Sequence, residues 1–187
     1  MQKLSENVAL IVIDVQNGFD DPVWGDRNNP QSEDNIARLL ATWRRAKRPI
    51  IHFRHMSRNP ESPLYPGQRG NEIKEVVKPL PGELVIEKCV NSAFIGTDLE
   101  ERLRRNNIDT VVLTGINTNH CVSTTARMSG NLGFNTYVVS DATATFDMKG
   151  PDGRLHKAEV MHIIGLTELN EEFATVIDIE NLLERCR

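Results

Sequence analysis

Short apolar runs alternate with amphipathic helical stretches along this chain, and that alternation leaves few folds open. Residues 8–13 (VALIVI) are continuously apolar, as a strand covered on both faces of a sheet must be. Further strand-like runs fall at 49–53, 84–87, 110–114, 136–140 and 174–177. Between them, 32–47 reads as a helix with Ile36, Leu39, Leu40 and Trp43 on one stripe and Ser32 as its N-cap. Thr97 and Glu100 have capping-box spacing, opening a helix that turns Leu99 and Leu103 inward. Helical patterns at 122–132, 155–169 and 179–185 complete the series. Strands separated by helices predict right-handed parallel crossovers. The expected architecture is a three-layer α/β/α sandwich, Rossmann-like, around a six-stranded, mostly parallel sheet. At 187 residues it is expected to form one domain, 1–187.

Two long irregular stretches, 17–30 and 57–82, interrupt the alternation, and loops of this length usually serve as lids or interface arms. The net charge of −4 argues against a nucleic-acid or anionic-membrane partner. The basic clusters at 44–48 and 102–105 fall late in predicted helices, where cations suit the helix dipole. No apolar run approaches membrane-spanning length, and MQKLSEN lacks the apolar core of a signal peptide. Three cysteines do not suggest a disulfide framework. The expectation is a cytoplasmic protein acting on a small molecule.

Three residues stand out of place. Asp14 closes the all-apolar first strand, where capping a turn and facing a site weigh equally. Lys88 ends the third strand, and alone it reads as a surface charge. Cys121 follows the strand at 110–114 and precedes a helical pattern, a place where a positive helix end favours thiolate over thiol. Free cysteine is also often a small buried hydrophobe. In a doubly wound sheet, however, all three lie at carboxyl ends of parallel strands, the edge at which such sheets bind ligands. Their chemistry is complementary: a nucleophilic thiol needs a base to take its proton and a cation to hold the charge. His120 adjoins Cys121, but consecutive helical residues do not share a face, which favours a packing role.

The chain resembles the isochorismatase-like cysteine hydrolases, a superfamily that includes nicotinamidases, N-carbamoylsarcosine amidases and ureidoacrylate amidases. The resemblance rests on residues 9–19 (ALIVIDVQNGF), on Lys88 with Ser92-Ala93-Phe94 and Thr97-x-Leu99, on residues 115–122 (GINTNHCV), and on Asp141-Ala142. It implies an Asp14–Lys88–Cys121 triad, a cis peptide between Ile116 and Asn117, and an oxyanion hole from the backbone N–H groups of Asn117 and Cys121. It also implies hydrolysis of a C–N bond in a small amide, carbamoyl or ureido substrate through a thioester, without a cofactor, in a homo-oligomer (dimer or tetramer). Phe19, Trp24, His55 and Tyr65 are the candidates for the substrate pocket. Nicotinamidases hold a metal through an aspartate and histidines after the second strand. Here that stretch offers His52 and His55, with no further histidine before His120, so no metal is expected. Asn119 replaces the aspartate common two residues before the family's cysteine. Cys89, Cys186 and Arg127 carry no motif role. The competing readings are a non-catalytic or redox-sensing protein on the same fold, and a metal-assisted hydrolase of nicotinamidase type.

Overall fold

The apolar runs assemble in a computed structural model that describes residues 3–5 and 7–186. Six strands, β1 (Val8–Ile13), β2 (Ile50–His55), β3 (Leu84–Lys88), β4 (Thr110–Ile116), β5 (Asn135–Ala144) and β8 (Thr175–Ile177), form one sheet. The order is β3-β2-β1-β4-β5-β8, and every pairing in it is parallel. The chain order reverses beside β1, so the crevice outside the carboxyl ends of β1 and β4 is the topological switch point.

Successive strand residues point to opposite faces. In β1, Ala9, Ile11 and Ile13 join one core with Leu99 and Leu103 of α2 (Leu99–Arg105) and Ala126 of α3 (Ser123–Asn131). Val8, Leu10 and Val12 join the other, against Ile36, Leu39, Leu40 and Trp43 of α1 (Ser32–Arg45) and Leu182 of α5 (Ile179–Arg185). These layers form the predicted three-layer sandwich.

Local details differ from the sequence reading. Ser32 is the first helical residue rather than the cap; its hydroxyl accepts from Arg27 and donates to Glu33. Helix α1 ends two residues early because Lys47 takes a left-handed conformation (φ 53°), and Arg48 N–H turns back to the Trp43 carbonyl. Thr97 and Glu100 make no capping box: Asp98 is the N-cap, without a side-chain cap bond, and the Thr97 hydroxyl donates to the Ala93 carbonyl at 2.5 Å. The helix expected at 155–169 starts later, as α4 (Ala158–Leu169). Leu155 and His156 instead form β7, antiparallel to β6 (Met148–Lys149). The carboxylate of Asp147 fixes the new start by accepting from Ala158 N–H at 2.8 Å. No helix among the described residues is long and apolar enough to cross a membrane.

Candidate active site

The site grows from the end of β1. Asp14 adopts φ 54°, a left-handed conformation that aspartate tolerates better than most residues. Its neighbour Gln16, fully buried, works as a clamp. The Gln16 amide donates to the carbonyls of His55 and Asn71 and accepts from His55 N–H, so it joins the end of β2 to the loop 57–82. Asn71 in turn donates to the carbonyls of His55 and Leu64. The two long loops close on each other at Gly18, where a Cβ would meet Pro63 O at 2.8 Å and Gly70 O at 2.9 Å.

At the end of β4 the backbone comes unusually close to β1. Gly115 has φ 123°, and a Cβ there would sit 1.9 Å from Ile13 O, so only glycine fits. The Ile116–Asn117 peptide is cis. A single π-turn, Thr118–Val122, then carries Cys121 ahead of α3. The cysteine thus precedes the helix, as the sequence reading has it, but sits in an irregular turn, and the helix begins at Ser123 rather than Val122. Helix α4 backs this turn through His162, whose Nδ1 is 2.8 Å from the Thr118 hydroxyl, and through Gly165, which packs against Asn119. Asn119 accepts from the Thr145 hydroxyl at 2.5 Å.

Lys88 and Asp14 meet as a buried ion pair. Nζ lies 2.5 Å from Asp14 Oδ2, with both side chains 0% exposed. Nζ also reaches the Val90 carbonyl at 3.1 Å and His55 Nδ1 at 3.4 Å. Lysine has only donors, so Nδ1 is an acceptor and the His55 proton sits on Nε2. Burial lowers the His55 pKa, which keeps the ring neutral. Cys121 is nearly buried beside this pair. Burial first, then the negative charge of Asp14, pushes its thiol up to about 12 against the opposing pull of Lys88. A helix end would favour thiolate, but burial and the neighbouring carboxylate work in the opposite direction here.

A cleft of about 120 Å³ opens over these groups, lined by Asp14, Phe19, Trp24, His55, Asn117 and Cys121. Phe19, Trp24 and Phe146 form an aromatic wall, with ring centroids 5.2–5.9 Å apart. Tyr65 is not among the lining residues: it is 38% exposed, and the adjacent Leu64 turns inward instead. Asn91 and His120 also line the cleft and were not read as pocket residues from the sequence. The crossover from β3 positions Asn91, and nothing in its local sequence signals this. Arg127 pairs with Glu168 at 2.9 Å and covers the Phe173 ring. Cys89 is exposed and Cys186 half-buried. A larger cavity, about 780 Å³, lies at the amino ends of the strands between Arg44, Glu83, Arg102 and Ile108, away from the Asp14–Lys88 pair.

Among the described residues, Asp14, His55 and Cys121 bring one ligand atom each within 4.8 Å of the others. Their spacing suits a metal, but the Lys88 ammonium already holds the carboxylate and points at the imidazole nitrogen. A cation would have to displace that charge, so the group is better suited to moving a proton between sulfur and carboxylate.

The model of the Isochorismatase domain matches residues 8–181. The chain is 49% identical over 180 residues to the uncharacterized isochorismatase family protein YrdC of Bacillus subtilis, covering 96% of each chain. It is 30% identical to Nicotinamidase 3 of Arabidopsis thaliana, covering 95% of this chain and 88% of that one. The crystal structure of an isochorismatase-family protein from Chromobacterium violaceum superposes with a TM-score of 0.95 at 42% identity, covering 99% of this chain and 96% of that one. With the sheet order, the Asp14–Lys88 pair and Cys121 arranged as described, the chain belongs to the isochorismatase family of hydrolases.

Proposed function

We propose that the protein is a cysteine-dependent amidohydrolase that cleaves the C–N bond of a small amide, carbamoyl or ureido substrate. The observation that carries this reading is the buried Lys88–Asp14 pair set against an otherwise isolated thiol. A thiol held at about 12 is protonated in the resting site and becomes a nucleophile only as a base removes its proton. Asp14 is that base: it takes the Cys121 proton as sulfur bonds to the substrate carbonyl carbon, and Lys88 holds the carboxylate in place through Oδ2. The carbonyl oxygen takes up negative charge, stabilised by the backbone N–H groups of Asn117 and Cys121. Loss of one such donor typically costs roughly a hundred- to a thousand-fold in rate.

The tetrahedral adduct collapses as the C–N bond breaks, and Asp14 returns its proton to the departing nitrogen. Ammonia or an amine leaves a thioester on Cys121. Water then adds to the thioester carbonyl, giving a proton to Asp14. The C–S bond breaks, and the proton passes to sulfur. Substrate and water are converted to a carboxylic (or carbamic) acid and an amine, and the site is restored. A redox-sensing role is less well supported, because a sensor needs thiolate near neutral pH and burial here works against it.

The test is ammonia release from a panel of small amides, carbamoyl and ureido compounds, with mass spectrometry of quenched enzyme. An acyl adduct on Cys121, absent in Cys121→Ala together with turnover, is the expected result. Turnover persisting near the wild-type rate in Cys121→Ala overturns the assignment.

A further inference from the structure

On the amidohydrolase reading, the two oxyanion donors, Asn117 N–H and Cys121 N–H, bracket one irregular turn, and whatever holds that turn decides where they point. Within it, the N–H groups of His120 and Val122 both donate to the Asn117 carbonyl, at 3.2 and 3.1 Å. A single π-turn is a local irregularity without the repeating ladder that stiffens a helix, so its rigidity has to come from outside. The Thr118 side chain, 0% exposed, is where the rest of the fold takes hold: its hydroxyl is 2.8 Å from His162 Nδ1.

His162 is buried on the face of α4 that also carries Gly165, since residues three apart share a helix face. Glycine at 165 lets the helix come close, because a Cβ there would lie 3.3 Å from Asn119 Cβ. The other ring nitrogen, Nε2, is 3.3 Å from the Asn29 amide nitrogen, whose two hydrogens go to the carbonyls of Ser140 and Thr143. That amide has no hydrogen left for the ring. Burial lowers the His162 pKa, so the ring is neutral, and the Ser140 carbonyl favours its one proton on the Nε2 side. Nδ1 then accepts from the Thr118 hydroxyl. One ring thus joins the loop 17–30, which carries Phe19 and Trp24 of the cleft wall, to the end of β5 and to the turn of the nucleophile. The sulfur is held separately, packed in the core with Val122 and Ala126.

We propose that His162 is a positioning residue of the reaction: by holding the Thr118 hydroxyl it fixes the turn so that the N–H groups of Asn117 and Cys121 meet the oxyanion. It does not line the cleft and acts only through Thr118. Oxyanion donors work where a carbonyl carbon becomes tetrahedral. His162 therefore matters for acyl transfer to Cys121 and not for alkylation of the same sulfur.

Two probes of Cys121 separate these steps, each followed by peptide mass spectrometry. p-Nitrophenyl acetate passes its acetyl group to sulfur and releases p-nitrophenolate through an oxyanion, whereas iodoacetamide alkylates sulfur by displacing iodide, without one. In His162→Leu the acylation rate constant should fall roughly tenfold to a hundredfold while alkylation stays within about threefold of wild type. His162→Asn puts an amide near the place of Nδ1 and should recover most of the acylation rate; His162→Gln, whose amide falls near the place of Nε2, should not. Thr118→Val removes the hydroxyl from the other side at nearly equal volume and carries the test if His162→Leu does not fold. It should show the same selective loss, with no further loss in the double variant. Acylation and alkylation falling together, unchanged acylation in Thr118→Val, or equal recovery by Asn and Gln overturns the proposal. A wild-type protein that is alkylated at Cys121 but never acylated there overturns the amidohydrolase reading, and this proposal with it.

Discussion

Replacing Lys88 by methionine removes one charge of the buried pair while nearly keeping the volume. Lys88 Nζ and Asp14 Oδ2 are 2.5 Å apart with both side chains 0% exposed, so water cannot take over the role of the lost ammonium. Breaking a buried pair by removing one partner typically costs about 3–5 kcal/mol, because the other charge is stranded. For a chain of this length that corresponds to a fall in Tm of roughly 6–20 °C. The double variant Asp14→Asn/Lys88→Met strands nothing and should be destabilised by less than the sum of its single variants. Urea unfolding of all four proteins at pH 7.5 measures both effects, provided the m-values agree. A Lys88→Met variant within 1 kcal/mol of wild type at pH 7.5, or strict additivity in the double variant, refutes the view that the pair is held as ions in a dry site.

Three further outcomes follow from other parts of the molecule. Burial opposes ionisation of Glu33, but hydrogen bonds from Arg27 and Lys74 hold its carboxyl at about 2. Because the folded pKa is depressed, this contribution of about 3 kcal/mol is present above the unfolded pKa of 4.5 and is lost as the pH falls toward 2. Glu33→Gln should flatten the acid limb of the stability curve, and an unchanged limb in urea titrations counts against it. Alkylation of Cys121 by iodoacetamide should climb about tenfold per pH unit from 8 to 10, because the thiol is held up at about 12. A plateau by pH 9 in peptide mass spectrometry contradicts that burial. Gly115→Ala places a Cβ 1.9 Å from Ile13 O at a φ of 123°, so it should destabilise by more than about 3 kcal/mol. Near-wild-type melting of that variant means that β1 and β4 are less closely tied than their register implies.

Much of this was legible in the linear chain, because local chemistry decides it. Short continuous apolar runs alternating with helical stretches fit strands of a parallel sheet, and the crossovers between them have one hand. Those two facts already bring Asp14, Lys88 and Cys121 to the carboxyl edge of a parallel sheet. The stripe of Ile36, Leu39, Leu40 and Trp43 likewise needed only the helical period to be assigned to the core. Gly115 and Gln16 belonged to recognisable motifs, but the motifs did not say what each residue does.

What only the tertiary structure decided depends on atoms far apart in sequence. The end of α1 was misjudged because Lys47, not a glycine, takes the left-handed position. Strand β7 escaped notice because two residues have no readable period, and their partner lies across a hairpin. Leu64 rather than Tyr65 faces the cleft because Asn71 and Gln16 fix that loop from elsewhere in the chain. The state of Cys121 was also beyond local reading. Its neighbours in sequence suggest a helix end that would ionise it, whereas burial and the charge of Asp14, 107 positions earlier, keep it protonated. Sequence determines which groups can react; the burial that sets their protonation arises only when distant segments exclude water together.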